Sequence, residues 1–140
     1  MRLYASFARR LSVLRDWPLL LIRLVLAYGF WHPAMMKWKD IHGIGDWFAQ
    51  LQIPLPYFNA YLVAVTELLG VVLLTLGLFV RFITIPLMIS MVVAIITVHL
   101  ANGFEAGDNG FEIPLYYILF LFTLLVYGGG RISIDHFLER

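Results

Sequence analysis

The stretch A-Y-L-V-A-V-T-E-L-L-G-V-V-L-L-T-L-G-L-F-V-R, from Ala60 to Arg81, decides the fold. It is apolar for long enough to cross a bilayer, which takes about 20 residues of helix. It nevertheless carries a carboxylate, Glu67, inside the apolar run. On a helix Glu67, Gly70, Leu74, Gly77 and Arg81 follow one another at spacings that keep them on one stripe. That face holds an acid, two glycines and a terminal cation, and the opposite face is Val, Leu and Phe. An ionisable residue inside a membrane span marks a functional site by default, so the question is what Glu67 faces.

The composition agrees with a membrane class. Hydrophobic residues make up 61% of the 140, charged ones only 14%, and mean hydropathy is +0.85. A soluble domain of this size could not cover its surface with so few polar groups. The chain has no cysteine, which excludes disulfides, thiolate ligands and thiol redox chemistry within it. No P-loop or dinucleotide-binding glycine fingerprint occurs, and nothing points to nucleic acid.

Working outward, residues 1–16 read as an amphipathic interfacial helix. Leu3, Tyr4, Phe7, Leu11 and Leu14 fall on one side, with Arg2, Ser6, Arg9 and Asp16 on the other. No small-residue cleavage site follows, so a cleaved signal peptide is not expected. Residues 17–132 read as a transmembrane domain with spans at about 17–36, 60–80, 82–101 and 112–130, and residues 133–140 as a cytoplasmic tail. A short interfacial helix is expected near Ile44 to Leu51, and Trp38 and Trp47 read as a belt at the membrane surface. The expected fold is therefore all-α: a polytopic bundle of four transmembrane helices behind an amphipathic N-terminal helix. Seven arginines (Arg2, Arg9, Arg10, Arg15, Arg81, Arg131, Arg140) fall on one side of these spans, with only Lys37 and Lys39 in the first opposite loop. That bias puts both termini in the cytoplasm.

Two polar clusters result. The outer one gathers His32, Lys37, Glu67, His99 and Glu112. A buried carboxylate must be protonated, paired or hydrated, and Lys37 is the available cation. Carboxylate and imidazole together can move protons; the alternative is a charge pair that only staples the bundle. No H-x-x-H, H-E-x-x-H or E-x-x-H spacing supports a metal, and a bis-histidine haem would need His32 and His99 to converge, so neither is predicted. The inner cluster sets Arg23, Arg81 and Arg131 against Asp135, beyond the turn-forming Gly128 to Gly130. It reads as a latch for the tail or as a site for an anionic headgroup.

An ordered set of segments carries a resemblance. It comprises R-L-V-L-A-Y-G-F from Arg23, then Lys37; E-L-L-G-V-V-L-L-T-L-G-L-F-V-R from Glu67; P-L-M-I-S-M-V-V-A-I-I-T-V-H ending at His99, then Glu112; and G-G-G-R-I-S-I-D ending at Asp135. This series resembles the DoxX family of small four-helix bacterial membrane proteins. The resemblance implies four transmembrane helices, the bacterial inner membrane and a quinone-linked redox or oxidative-stress role. Relatives of that kind include a subunit of a thiosulfate:quinone oxidoreductase, although this chain has no cysteine with which to handle sulfur. The third segment is closest to members encoded beside modification genes for copper-handling peptides.

On that footing the expected ligand is a quinone or quinol at the outer cluster. Glu67 and His99 are the candidate catalytic groups, and Lys37, Glu112, Tyr116 and Arg23 the candidate cofactor-binding ones. Arg81, Arg131 and Asp135 form the candidate structural ion-pair cluster. Expected partners are the lipid bilayer, a redox partner protein and a second copy of the chain. The alternatives are a non-catalytic membrane scaffold or assembly subunit, and a copper-handling or small-solute transport protein.

Overall fold

A computed structural model describes residues 1–140, and every regular element in it is helical. In chain order these are α1 (Arg2–Ser12), α2 (Asp16–Lys39), α3 (Ile41–Gln50), α4 (Pro56–Leu76), α5 (Val80–Ala94), α6 (Glu112–Tyr127) and α7 (Ile134–Leu138). A π-helical turn, Ile95–His99, and a 3-10 turn, Leu100–Asn102, extend α5. The protein is an all-α membrane protein: three helices are long and apolar enough to cross a bilayer, namely Asp16–Lys39, Pro56–Leu76 and Val80–Asn102. The fourth expected span, α6, has 16 residues and is shorter than the others. It stops at Tyr127 because Gly128, with φ 75°, turns the chain out of the helix.

Local chemistry sets the helix limits. Pro56 occupies the first turn of α4, where its missing N–H leaves no helical bond unmade. Gly77, with φ 70°, ends the same helix. α4 thus runs four residues ahead of the 60–80 window that hydropathy suggests, and Arg81 belongs to the first turn of α5. The stripe read from the sequence holds through its helical part: Glu67, Gly70 and Leu74 are buried on α4, and Ala60 and Ala64 continue the buried face towards its start. On α2 the buried set is Arg23, Leu26, Ala27, Phe30 and Ala34. α1 has no buried residue and shares nothing with the core.

The bundle has two unlike halves. At the end carrying both termini, here the proximal end, Leu26, Phe30, Leu74, Val80, Leu87, Leu121 and Leu124 form a closed core. Gly70 lets α4 and α5 approach there: a Cβ on it would lie 2.9 Å from Leu87 Cδ1. At the other, distal end, the same helices separate around a cavity.

The proximal end is sealed by the tail. Asp135 accepts hydrogen bonds from the backbone N–H groups of Phe79 (2.8 Å) and Val80 (3.0 Å), the free donors at the start of α5. Its own N–H donates to Gly77 O at 2.9 Å. Arg23, 1% exposed, donates to Leu74 O at 3.0 Å and to Ile132 O, binding the end of α4 to the tail.

Candidate functional site

The distal cavity has a volume of about 990 Å³ and is lined by α2, α3, α4, α5 and α6 and by the loops at that end. Its walls are mainly apolar, with Phe30, Phe48, Met91 and Pro114 among them. Into this surface come Lys37 from α2, Glu67 from α4 and His99 from the π turn. Lys37 Nζ lies 3.1 Å from both carboxylate oxygens of Glu67, with side-chain exposures of 15% and 4%. The pair forms because both stripes, Arg23-Ala27-Phe30-Ala34-Lys37 and Ala60-Ala64-Glu67, turn inward at the same height. A charge on Glu67 alone in this setting would carry a large desolvation cost; the ammonium offsets it. An ammonium has three N–H donors, so Lys37 keeps donor capacity beyond its bond to Glu67.

The π turn supplies the other polar groups. A π turn widens the helix by one residue per turn and occurs often at functional sites. Here Ile96, Thr97, Val98 and His99 all line the cavity, more consecutive residues than one face of an α-helix presents. His99 is tied at Nδ1 to Asn109 O, 2.9 Å away, which anchors the ring to the distal loop. Tyr117 of α6 stands edge-on to Phe30, with ring centroids 5.3 Å apart, and its hydroxyl sits over Gly29. Ser90 and Thr66 add hydroxyl groups to the lining.

The sequence-derived candidates divide accordingly. Lys37, Glu67 and His99 meet at one cavity. Glu112 and Tyr116 do not join them: Glu112 accepts from Ala106 N–H and from the Tyr116 hydroxyl, both at 3.0 Å, and so holds the distal loop. The polar stripe Glu112-Tyr116-Thr123 lies away from the bundle axis. The stripe that enters it is Pro114-Tyr117-Leu121-Leu124, whose wholly apolar flanks in the sequence hide Tyr117. Arg23 is at the opposite end from the cavity, engaged with Leu74 and Ile132.

Arg81, Arg131 and Asp135 also do not form an ion-pair cluster with one another. Arg81 donates to Val126 O at 3.2 Å, Asp135 binds backbone N–H groups, and Arg131 pairs with Asp16, Nε to Oδ2 at 3.9 Å. Helix ends offer unpaired N–H and C=O groups, which engage Asp135 and Arg81, while Arg131 finds its carboxylate at the start of α2. Trp47 lines the cavity as well as facing outward, so it is more than a surface belt residue. His32 is exposed, and no three His, Asp or Glu side chains gather into a metal-holding group.

Comparison with known proteins gives the family. Residues 18–100 match the DoxX family model. The chain is 31% identical over 130 residues to an uncharacterized protein of Haemophilus influenzae, covering 87% of this chain and 83% of that one. It is 32% identical over 121 residues to a Bacillus subtilis protein named "Putative oxidoreductase CatD", covering 86% and 87% respectively. No solved structure matches. The matched segment contains nearly all of α2, the whole of α4 and α5, and Lys37, Glu67 and His99, and the chain belongs to the DoxX family.

Proposed function

We propose that this protein is a membrane component of a quinone-linked redox system and that the distal cavity holds quinone or quinol. The observation carrying this reading is the Lys37–Glu67 pair in the wall of an apolar cavity of about 990 Å³. Such a volume is at the upper end of small-molecule sites, which are mostly apolar with a few convergent polar groups. The name of the Bacillus subtilis relative supports a redox role.

In this account Lys37 donates to one ring oxygen and Glu67 takes the proton of the quinol hydroxyl. His99 passes the proton towards the distal surface. Oxidising a quinol to a quinone breaks two O–H bonds and releases two protons and two electrons. The protons leave through Glu67 and His99; the electrons go to a redox partner protein that docks on this subunit. Metal handling has less support, because the potential ligands are dispersed.

The scaffold reading rests on one observation: the same pair links α2 to α4 and would hold them together with no ligand at all. We favour the quinone reading because a staple needs no cavity beside it.

The topology belongs to the same proposal. α6 starts beside the distal loop that binds His99 and ends next to Arg131, which pairs with Asp16. It therefore traverses the height of the bundle and is assigned as the fourth span. Both termini then lie on one side, the cytoplasmic side of the bacterial inner membrane by the arginine bias, with α1 in the interface. The test is purification in native-lipid nanodiscs followed by mass analysis of co-purifying quinone. The expected result is quinone enriched over that in empty nanodiscs of the same membrane; equal amounts would reject the reading.

A further inference from the structure

The cavity is lined by more exposed residues on its α4–α5 side than on its α2–α6 side. α2 and α6 are joined across it by the edge-on contact of Phe30 and Tyr117, with the Tyr117 hydroxyl over Gly29. α5 and α6 pack extensively against each other. α4 and α5 approach closely where Gly70 faces Leu87. Distal to that crossing, Val63, Thr66 and Glu67 of α4 and Pro86, Ser90 and Val93 of α5 line the cavity instead of covering each other. The lining extends further to Leu62, Ile89 and Ile96, which are 50%, 59% and 64% exposed. These residues lie within spans, so their exposed faces meet hydrocarbon. The α5 wall, from Pro86 to His99, is about 20 Å long at the helical rise per residue. On α4 the wall from Asn59 to Glu67 is only about 12 Å long. The space thus runs deeper into the bilayer along α5 than the polar groups do.

We infer that the cleft between α4 and α5 is a lateral portal, and that the ligand is lipid-borne, with its ring at Lys37–Glu67 and a prenyl tail lying between Thr66 and Val93. This rests on the quinone reading above and specifies which quinones it covers. Continuity of the cavity with the lipid-facing cleft argues for an occupant with an apolar tail. A tail-less ring would leave the apolar wall from Pro86 to Val93 uncovered, whereas a tail extends the buried apolar area at about 25 cal/mol per Å². The portal also lets the ligand enter from the bilayer without its tail crossing water.

The experiment uses the full-length protein in phosphatidylethanolamine–phosphatidylglycerol nanodiscs. The probe is a benzoquinone whose prenyl tail carries a photoreactive diazirine. After illumination, labelled peptides are mapped with and without an excess of the same prenylated benzoquinone lacking the diazirine. Displaceable label on 62–67 and 86–97 is expected, reduced about tenfold by Val93→Trp. Thr66→Trp on the facing wall gives a second block, and the wild-type map decides the matter if either variant fails to fold. Displaceable label on α2 and α6 instead would overturn the portal while leaving quinone binding intact. No displaceable label anywhere would overturn both.

Discussion

Lys37 Nζ sits 3.1 Å from each carboxylate oxygen of Glu67, and the two come from different spans that no local sequence motif connects. The pair closes the distal half of the α2–α4 contact, just where the apolar core gives way to the cavity. It can therefore serve as a staple, as a proton-handling group, or as both. The single and double variants separate these roles.

Removing the lysine alone leaves a buried carboxylate with no counter-charge. Lys37→Met should destabilise the protein by about 3 kcal/mol, as for other broken buried pairs. Adding Glu67→Gln removes the orphaned charge, so the double variant should regain much of that loss. Thermal unfolding in one detergent checks this. A double variant no more stable than Lys37→Met would show that the buried charge is not what the pair neutralises.

The two adjacent tyrosines of α6 should behave differently. Tyr117 lines the cavity and Tyr116 bonds to Glu112. Tyr117→Phe should weaken quinone binding several-fold, in line with a hydrogen bond of about 1 kcal/mol. Tyr116→Phe should leave binding within about twofold and instead loosen the distal loop, since it removes a hydrogen bond of the same size elsewhere. Hydrogen exchange across 103–112 reads the second effect. Equal loss of binding in both variants would contradict this division.

At the proximal end, Asp135 holds the tail against α5 through two backbone N–H groups. Asp135→Ala should cost about 2 kcal/mol, comparable to losing a strong helix cap. It should also speed tryptic cleavage after Arg131. Asp135→Asn keeps one acceptor oxygen and should fall between. An unchanged melting temperature with an unchanged cleavage rate would remove the latch from this account.

Gly70 fixes the crossing of α4 and α5. Its missing side chain faces the methyl groups of Leu87, the flexible end of that side chain. Gly70→Ala should therefore be mild. Gly70→Leu should destabilise by about 1–3 kcal/mol through overpacking. The same change should widen the α4–α5 cleft and alter tail labelling, which photolabelling of the variant measures.

Much of this was legible in the sequence because helical periodicity within one span is a local property. The stripe through Glu67, Gly70 and Leu74 is buried as its spacing requires. The limits came from what periodicity omits. Hydropathy alone misses the early start of α4 at Pro56 and its stop at Gly77, which puts Arg81 at the start of α5 and not at the end of α4. Polarity drew attention to Tyr116, while the bundle turns the more apolar stripe containing Tyr117 towards its axis. The charged residues near the tail read as mutual partners, but helix-end backbone groups, invisible in a residue string, take Asp135 and Arg81, and the distant Asp16 takes Arg131. A π turn likewise has no sequence signature by which His99 could be aimed in advance.

The most direct measurement is a quinone titration of the wild-type protein and Glu67→Gln in nanodiscs, with ligand expressed per lipid and melting temperature recorded for both. Saturable binding to the wild type is expected, with affinity lowered at least about tenfold in Glu67→Gln and the fold retained. Absence of saturable binding to the wild type, or equal affinity in a folded Glu67→Gln protein, would contradict it and leave the Lys37–Glu67 pair as a staple between α2 and α4.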